Sequence, residues 1–123
     1  MAATLTNAGF ARIAARIGTD TLYLAVGTGT TAFTAAKTAL TTELTDSGLE
    51  RASATVTYST TNVTNDTVNA AHTWTASAAK TVGEIGLLNA ASTGTLYEAD
   101  LASPARALGI GDTFTGTLKI VAA

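Results

Sequence analysis

Thr81-Val82-Gly83-Glu84-Ile85-Gly86-Leu87-Leu88-Asn89 is a short apolar run with one carboxylate and two glycines set into it. Its length and apolar content predict a buried β-strand over residues 81–89. A charge inside such a strand is costly unless it is paired. Glycine in a strand interior marks a bulge or the close approach of another backbone. Glu84 therefore has two readings. It pairs with an arginine, Arg51 or Arg106 being the candidates, as a bidentate pair that would set strand register. Alternatively, it points outward from an edge strand.

On either side of this run the pattern is nearly all strand. Leu22, Leu24 and Val26 alternate with Tyr23 and Ala25. Residues 50–60 place Ala52, Ala54, Val56 and Tyr58 on one face and Arg51, Ser53, Thr55 and Thr57 on the other. Residues 67–76 put Val68, Ala70, His72 and Trp74 on a common face by the period of two. Strands are also predicted over 95–101 and 113–121, the latter with Phe114, Leu118 and Ile120 alternating. Turn signals separate them at Asp46-Ser47-Gly48, Asn62–Asp66, Ala90–Gly94 and Gly109–Asp112. Pro104 excludes a central strand position around it.

Helical signal is confined to two places. Residues 6–17 carry Phe10, Ile13, Ala14 and Ile17 as one apolar stripe, with Arg12 and Arg16 on the other side. Thr6 or Asn7 can cap this helix, and Gly18 can end it in a left-handed conformation. Residues 35–44 predict a short helical turn with Leu40 and Leu44 facing inward. About six strands at regular spacing argue a mainly β fold: an antiparallel β-sandwich or small barrel with one N-terminal helix. The connections are too short for helical crossovers, and no linker divides residues 1–123, so a single domain is expected.

Of the 123 residues, 46% are hydrophobic and only 13% charged, about half the usual charged share. Threonine and alanine dominate the remainder. A surface of Thr, Ser, Ala and Asn is polar but cheap to desolvate, which suits packing against other copies or a larger assembly. The seven Lys and Arg are scattered and the net charge is −2, so no nucleic-acid partner is expected. No run is long enough to span a membrane, so no membrane partner is expected either, and the N-terminus lacks the pattern of a signal peptide.

Catalytic chemistry is not signalled. There is no cysteine, His72 is the only histidine, and the carboxylates are dispersed. A lone histidine does not build a typical zinc site. Gly27-Thr28-Gly29 lacks the third glycine of a dinucleotide fingerprint, and no serine lies in a nucleophile elbow. The sequons at Asn62-Val63-Thr64 and Asn65-Asp66-Thr67 are expected in a threonine-rich chain by chance. The expectation is a non-enzyme without cofactor or metal.

Several segments together resemble a family of small structural proteins of tailed bacteriophages, some of them labelled tail-fibre-like. They are Tyr23–Thr31, Thr38–Leu44, Arg51-Ala52, Val63–Thr67, Glu84–Ala90 and Gly109–Thr113, in order over nearly the whole chain. The family usually carries an aromatic after the Glu-Ile-Gly glycine, where this chain has Leu87. The resemblance implies a virion protein, made in the host cytoplasm and without catalytic residues. The expected function is that of a capsid cement or decoration protein contacting the major capsid protein. The alternatives are a tail-fibre or baseplate component contacting tail proteins, and a host-surface adhesin whose Tyr23, Tyr58, Trp74 and Tyr97 stack on glycans. A homo-oligomer is expected. The candidate interface residues are Ala2, Ala3, Thr4 and Leu5 before the helix, and Gly27, Thr28, Gly29, Thr30 and Phe33 in the loop after the first strand. Both segments are small, and segments of this kind can order on docking.

Overall fold

The computed structural model covers residues 1–123. One helix, α1 (Asn7–Gly18), precedes seven strands: β1 (Tyr23–Gly27), β2 (Ala52–Ser53), β3 (Thr55–Ser59), β4 (Thr67–Thr75), β5 (Lys80–Leu88), β6 (Leu96–Leu108) and β7 (Thr113–Val121). They form two antiparallel sheets, one ordered β2-β1-β5-β6 and the other β3-β4-β7. The sheets stack as a sandwich, not a closed barrel. The core lies between them and is built from Leu24, Val26, Trp74, Val82, Leu87 and Leu118 with their neighbours. The period-two face predicted for β4 is observed: Val68, Ala70 and Trp74 are buried, and His72 stacks edge-on against Trp74 at 4.8 Å. The indole N–H of Trp74 donates to the Glu50 carbonyl at 2.9 Å, so the buried ring leaves no donor unmet.

The seventh strand comes from the run 50–60. It hydrogen-bonds first to β1 as β2, then crosses at Ala54 into the other sheet as β3. Ala54 donates its N–H to Leu22 O at 2.9 Å at the crossing. Ala52, Ala54 and Val56 all face the core, as their alternation predicted, whereas Tyr58 is 44% exposed beyond its edge. The strand predicted over 95–101 continues to Leu108 through Pro104. It can do so because β6 is an edge strand and because the proline sits in a bulge. Val82 pairs with Arg106 but Glu84 pairs with Leu101, so residues 102–105 face only Gly83.

Helix α1 is capped by Thr6, whose Oγ1 accepts from Gly9 N at 3.1 Å. It packs beside β3 and β4. Ala14 is buried and Phe10 and Ile17 are half-buried, but Ile13 is 42% exposed and drops out of the predicted stripe. Gly18 is not the left-handed terminus; the cap is Thr19 in the right-handed region. Gly18 is needed for space, since a side chain there would strike the Tyr58 hydroxyl. Residues 35–44 are not helical either. They run as an irregular cover of turns and bends across the outer face of the β1/β5 sheet, with Leu40 packed on Ala25 and Leu88 and Leu44 in the main core.

Candidate functional site

Glu84 lies on the outer face of β5, opposite Gly27 of β1, and is fully buried. Neither predicted arginine reaches it. Its two oxygens accept the backbone N–H groups of Thr41 and Thr42, at 3.1 and 2.7 Å. The edge-strand reading fails as well, because β5 lies between β1 and β6. Consecutive peptide N–H groups meet both carboxylate oxygens without a second side chain, which satisfies the buried group at little conformational expense. The glycines make this possible. A side chain at Gly27 would collide with Glu84 Oε1 and the Thr42 carbonyl, and one at Gly29 would lie 2.7 Å from Glu84 Oε2. At Gly83 a side chain would strike the Gly29 carbonyl. The close backbone approach predicted from the strand glycines is thus the crossing of the segment 28–44 over the sheet.

Arg51 fastens the next residue of the same segment, Glu43. Its guanidinium donates to both Glu43 oxygens, Nε to Oε2 at 3.0 Å and Nη2 to Oε1 at 2.8 Å. Its Nη1 donates to the carbonyls of Ala90 and Thr93, at 2.9 and 2.8 Å. One planar side chain therefore ties three pieces together: the end of the covering segment, the strand leading to β2, and the β5–β6 turn. Arg106, the other predicted partner, is exposed on β6 opposite Val82.

The two clasps decide what the predicted interface loop presents. Gly27 is buried as the last residue of β1 and is not a surface residue; Gly29 is half-buried against Glu84. Thr28 and Thr30 are exposed, and Phe33 is half-buried against Leu40 and Leu96. The loop is pinned by Thr28 N to Thr42 O at 3.0 Å and by the bridge from Gly27 to Glu43. Phe33, Lys37, Leu96, Tyr97 and Glu98 line a cleft of about 330 Å³ at its outer margin. Burial and then the neighbouring Asp100 push the Glu98 carboxyl above its ordinary value. Tyr97 donates to Asp20 Oδ2 at 2.7 Å, and this bond, with burial, raises the phenol.

Residues 1–8 are all exposed, including Ala2, Ala3, Thr4 and Leu5. Beside them an apolar cleft of about 420 Å³ opens between Ala8, Ala11 and Ala15 of α1 and Tyr58. Of the aromatics weighed for glycan stacking, Trp74 is buried, Tyr23 half-buried, and Tyr58 and Tyr97 partly exposed on different clefts.

Sequence reasoning missed one feature and saw only part of a second. Asp66 is buried at the turn before β4 and accepts the N–H groups of Thr61, Asn62 and Val63, at 2.9, 3.0 and 3.1 Å. Burial raises its carboxyl, but these three bonds and the Thr67 hydroxyl outweigh it and bring it from 3.8 to about 2. The Asn-Asp-Thr turn signal was the available clue. The second is the outer face of the β3-β4-β7 sheet. Thr55, Thr57, Thr73, Thr75, Thr113, Thr115 and Thr117 are all exposed there, and Lys119 is the one charged side chain among these three strands. Thr73 and Thr115, directly opposite in the ladder, share a hydroxyl hydrogen bond at 2.8 Å.

No group of three or more His, Asp or Glu side chains converges as a metal site, and no helix is long and apolar enough to cross a membrane. Compared with known proteins, the chain matches no protein-family model and no curated sequence.

Proposed function

We propose that this protein is a virion structural protein of a tailed bacteriophage, a cement or decoration protein that docks on the head shell through the major capsid protein. The observation that carries this reading is the threonine face of the β3-β4-β7 sheet with its single charge. Hydroxyl and methyl groups can be covered by a partner without stripping water from ions, so the cost of burying such a face is low. Weak contacts repeated by the symmetry of a shell then add to a large total stabilisation. The exposed N-terminal residues 1–6 supply a second element able to order on a neighbour. The resemblance over the segments from Tyr23 to Thr113 supports a virion structural protein, and the tail-fibre-like labels within that family favour the tail alternative.

The test is binding of labelled protein to purified empty or expanded heads, tails and whole particles of its phage. The cement reading expects saturable binding to heads and a higher temperature of head disruption. Binding to purified tails alone overturns it in favour of a tail component.

A further inference from the structure

Four strand edges bound the two sheets, and three are blunted. β2 is two residues long. β3 is five residues long and leaves the sheet at Ala54, before which the chain belongs to the other sheet as β2. β6 carries Glu98, Asp100, Pro104 and a bulge. These are the devices by which edges avoid pairing with other chains. β7 has none of them except Lys119: it runs nine residues without proline or bulge, pairs with β4 in unbroken register, and has no strand on its other side.

We propose that β7 pairs antiparallel with β7 of a second copy of this chain about a two-fold axis at Thr117, joining two three-stranded sheets into one of six strands. The partner is identified by self-complementarity. An antiparallel pair centred on Thr117 uses all nine residues and matches Thr113 with Val121, Phe114 with Ile120, Thr115 with Lys119 and Gly116 with Leu118 of the second copy. Core-facing residues meet core-facing residues, as the period of two demands. Phe114 and Ile120, each half-buried at the rim of the core, cover one another twice across the axis. The two Lys119 side chains face threonines instead of each other, so the one charge on the strand does not oppose the pairing. A C2 interface requires such reciprocity. The contact is one strand wide, well below the area of a stable standard-size interface, so the dimer is concentration-dependent. The proposal concerns the isolated protein and holds or fails independently of where the protein docks.

The register is tested by a charge swap at Thr115, which lies exposed on the outer face. Sedimentation velocity over a concentration series reads the dimer, and circular dichroism confirms folding. Thr115→Lys sets Lys against Lys119 of the second copy at two places and is expected to abolish the dimer. Thr115→Glu sets opposite charges there and is expected to shift the equilibrium towards dimer. Both substitutions lose the same bond to Thr73, so their difference reports the contact between copies. Thr117→Cys provides a check in a chain without cysteine: a short bis-maleimide should link it to a dimer and should leave Thr73→Cys, on the inner strand β4, unlinked. A wild-type chain that stays monomeric at every concentration overturns the proposal. So does a dimer that responds equally to Lys and Glu at position 115, or a Thr117→Cys chain that does not link.

Discussion

Glu84 holds the fold together through peptide groups, and that distinguishes it from an ion pair. Each oxygen accepts one backbone N–H, from Thr41 and from Thr42. Glutamine keeps the shape but has one acceptor oxygen, and its NH₂ would face a peptide N–H. Glu84→Gln should therefore cost about 3 kcal/mol, the scale of leaving a buried donor unmet and losing a bond to a charged group. That lowers Tm by roughly 10 °C for a chain of this size. An unchanged melting curve would show that the carboxylate contributes nothing. Asp66 acts by similar chemistry but has a pH signature. Unfolded, its carboxyl takes up a proton near 3.8; folded, only near 2. Between those values the unfolded chain binds the extra proton, so the stability from Asp66 is present above 3.8 and is lost as pH falls towards 2. The stability gap between wild type and Asp66→Asn, measured by urea unfolding, should narrow over that window; a gap independent of pH would exclude this role. The sequence made the burial of Glu84 legible through its apolar neighbours. Its partners were not legible, because backbone N–H groups leave no mark in side-chain identity and the arginines were the only visible counter-charges.

At the scale of elements, the segment 28–44 behaves as a cover fastened at its C-terminal end, residues 41–43. Glu84 holds Thr41 and Thr42 to β5, and Arg51 holds the adjacent Glu43 to the β5–β6 turn. Lysine at position 51 keeps the charge but cannot span two carboxylate oxygens and two carbonyls from one plane. Arg51→Lys should cost about 2 kcal/mol and speed amide exchange in residues 41–44 and 90–94, leaving β4 and β7 protected. Exchange that rises evenly through the chain would argue against a local clasp. This segment is also where local pattern misled. Leu40 and Leu44 have helical spacing, yet a single short helical turn is marginal on its own, and the segment instead takes an irregular path that seats Leu40 on Ala25 and Leu88 and Leu44 in the main core. Pro104 ended the predicted strand at Leu101 for a comparable reason. A proline is compatible with an edge, and whether β6 lies at an edge is settled by strand order.

The whole molecule is a sandwich whose two outer faces differ in chemistry. One is sealed by the segment 28–44; the other is left bare as threonine. That asymmetry suits the docking role proposed above: rigidity from the covered side and a surface with a single charge, Lys119, on the other. It underlies both the expected binding to phage heads and the extension of the bare face through β7. The antiparallel β class, the N-terminal helix, the turns and the core-facing side of β1, β4 and β7 were determined by the sequence itself, because period-two alternation and turn chemistry act over a few neighbouring residues; the choice of sandwich over barrel was not. Which strands became edges, where the run 50–60 changed sheets, and that Glu84 would find the amides of Thr41 and Thr42 were decided only by the tertiary structure. Those outcomes depend on how residues forty positions apart share one buried space. No local pattern encodes that competition, and the glycines at 27, 29 and 83 mark only where it takes place.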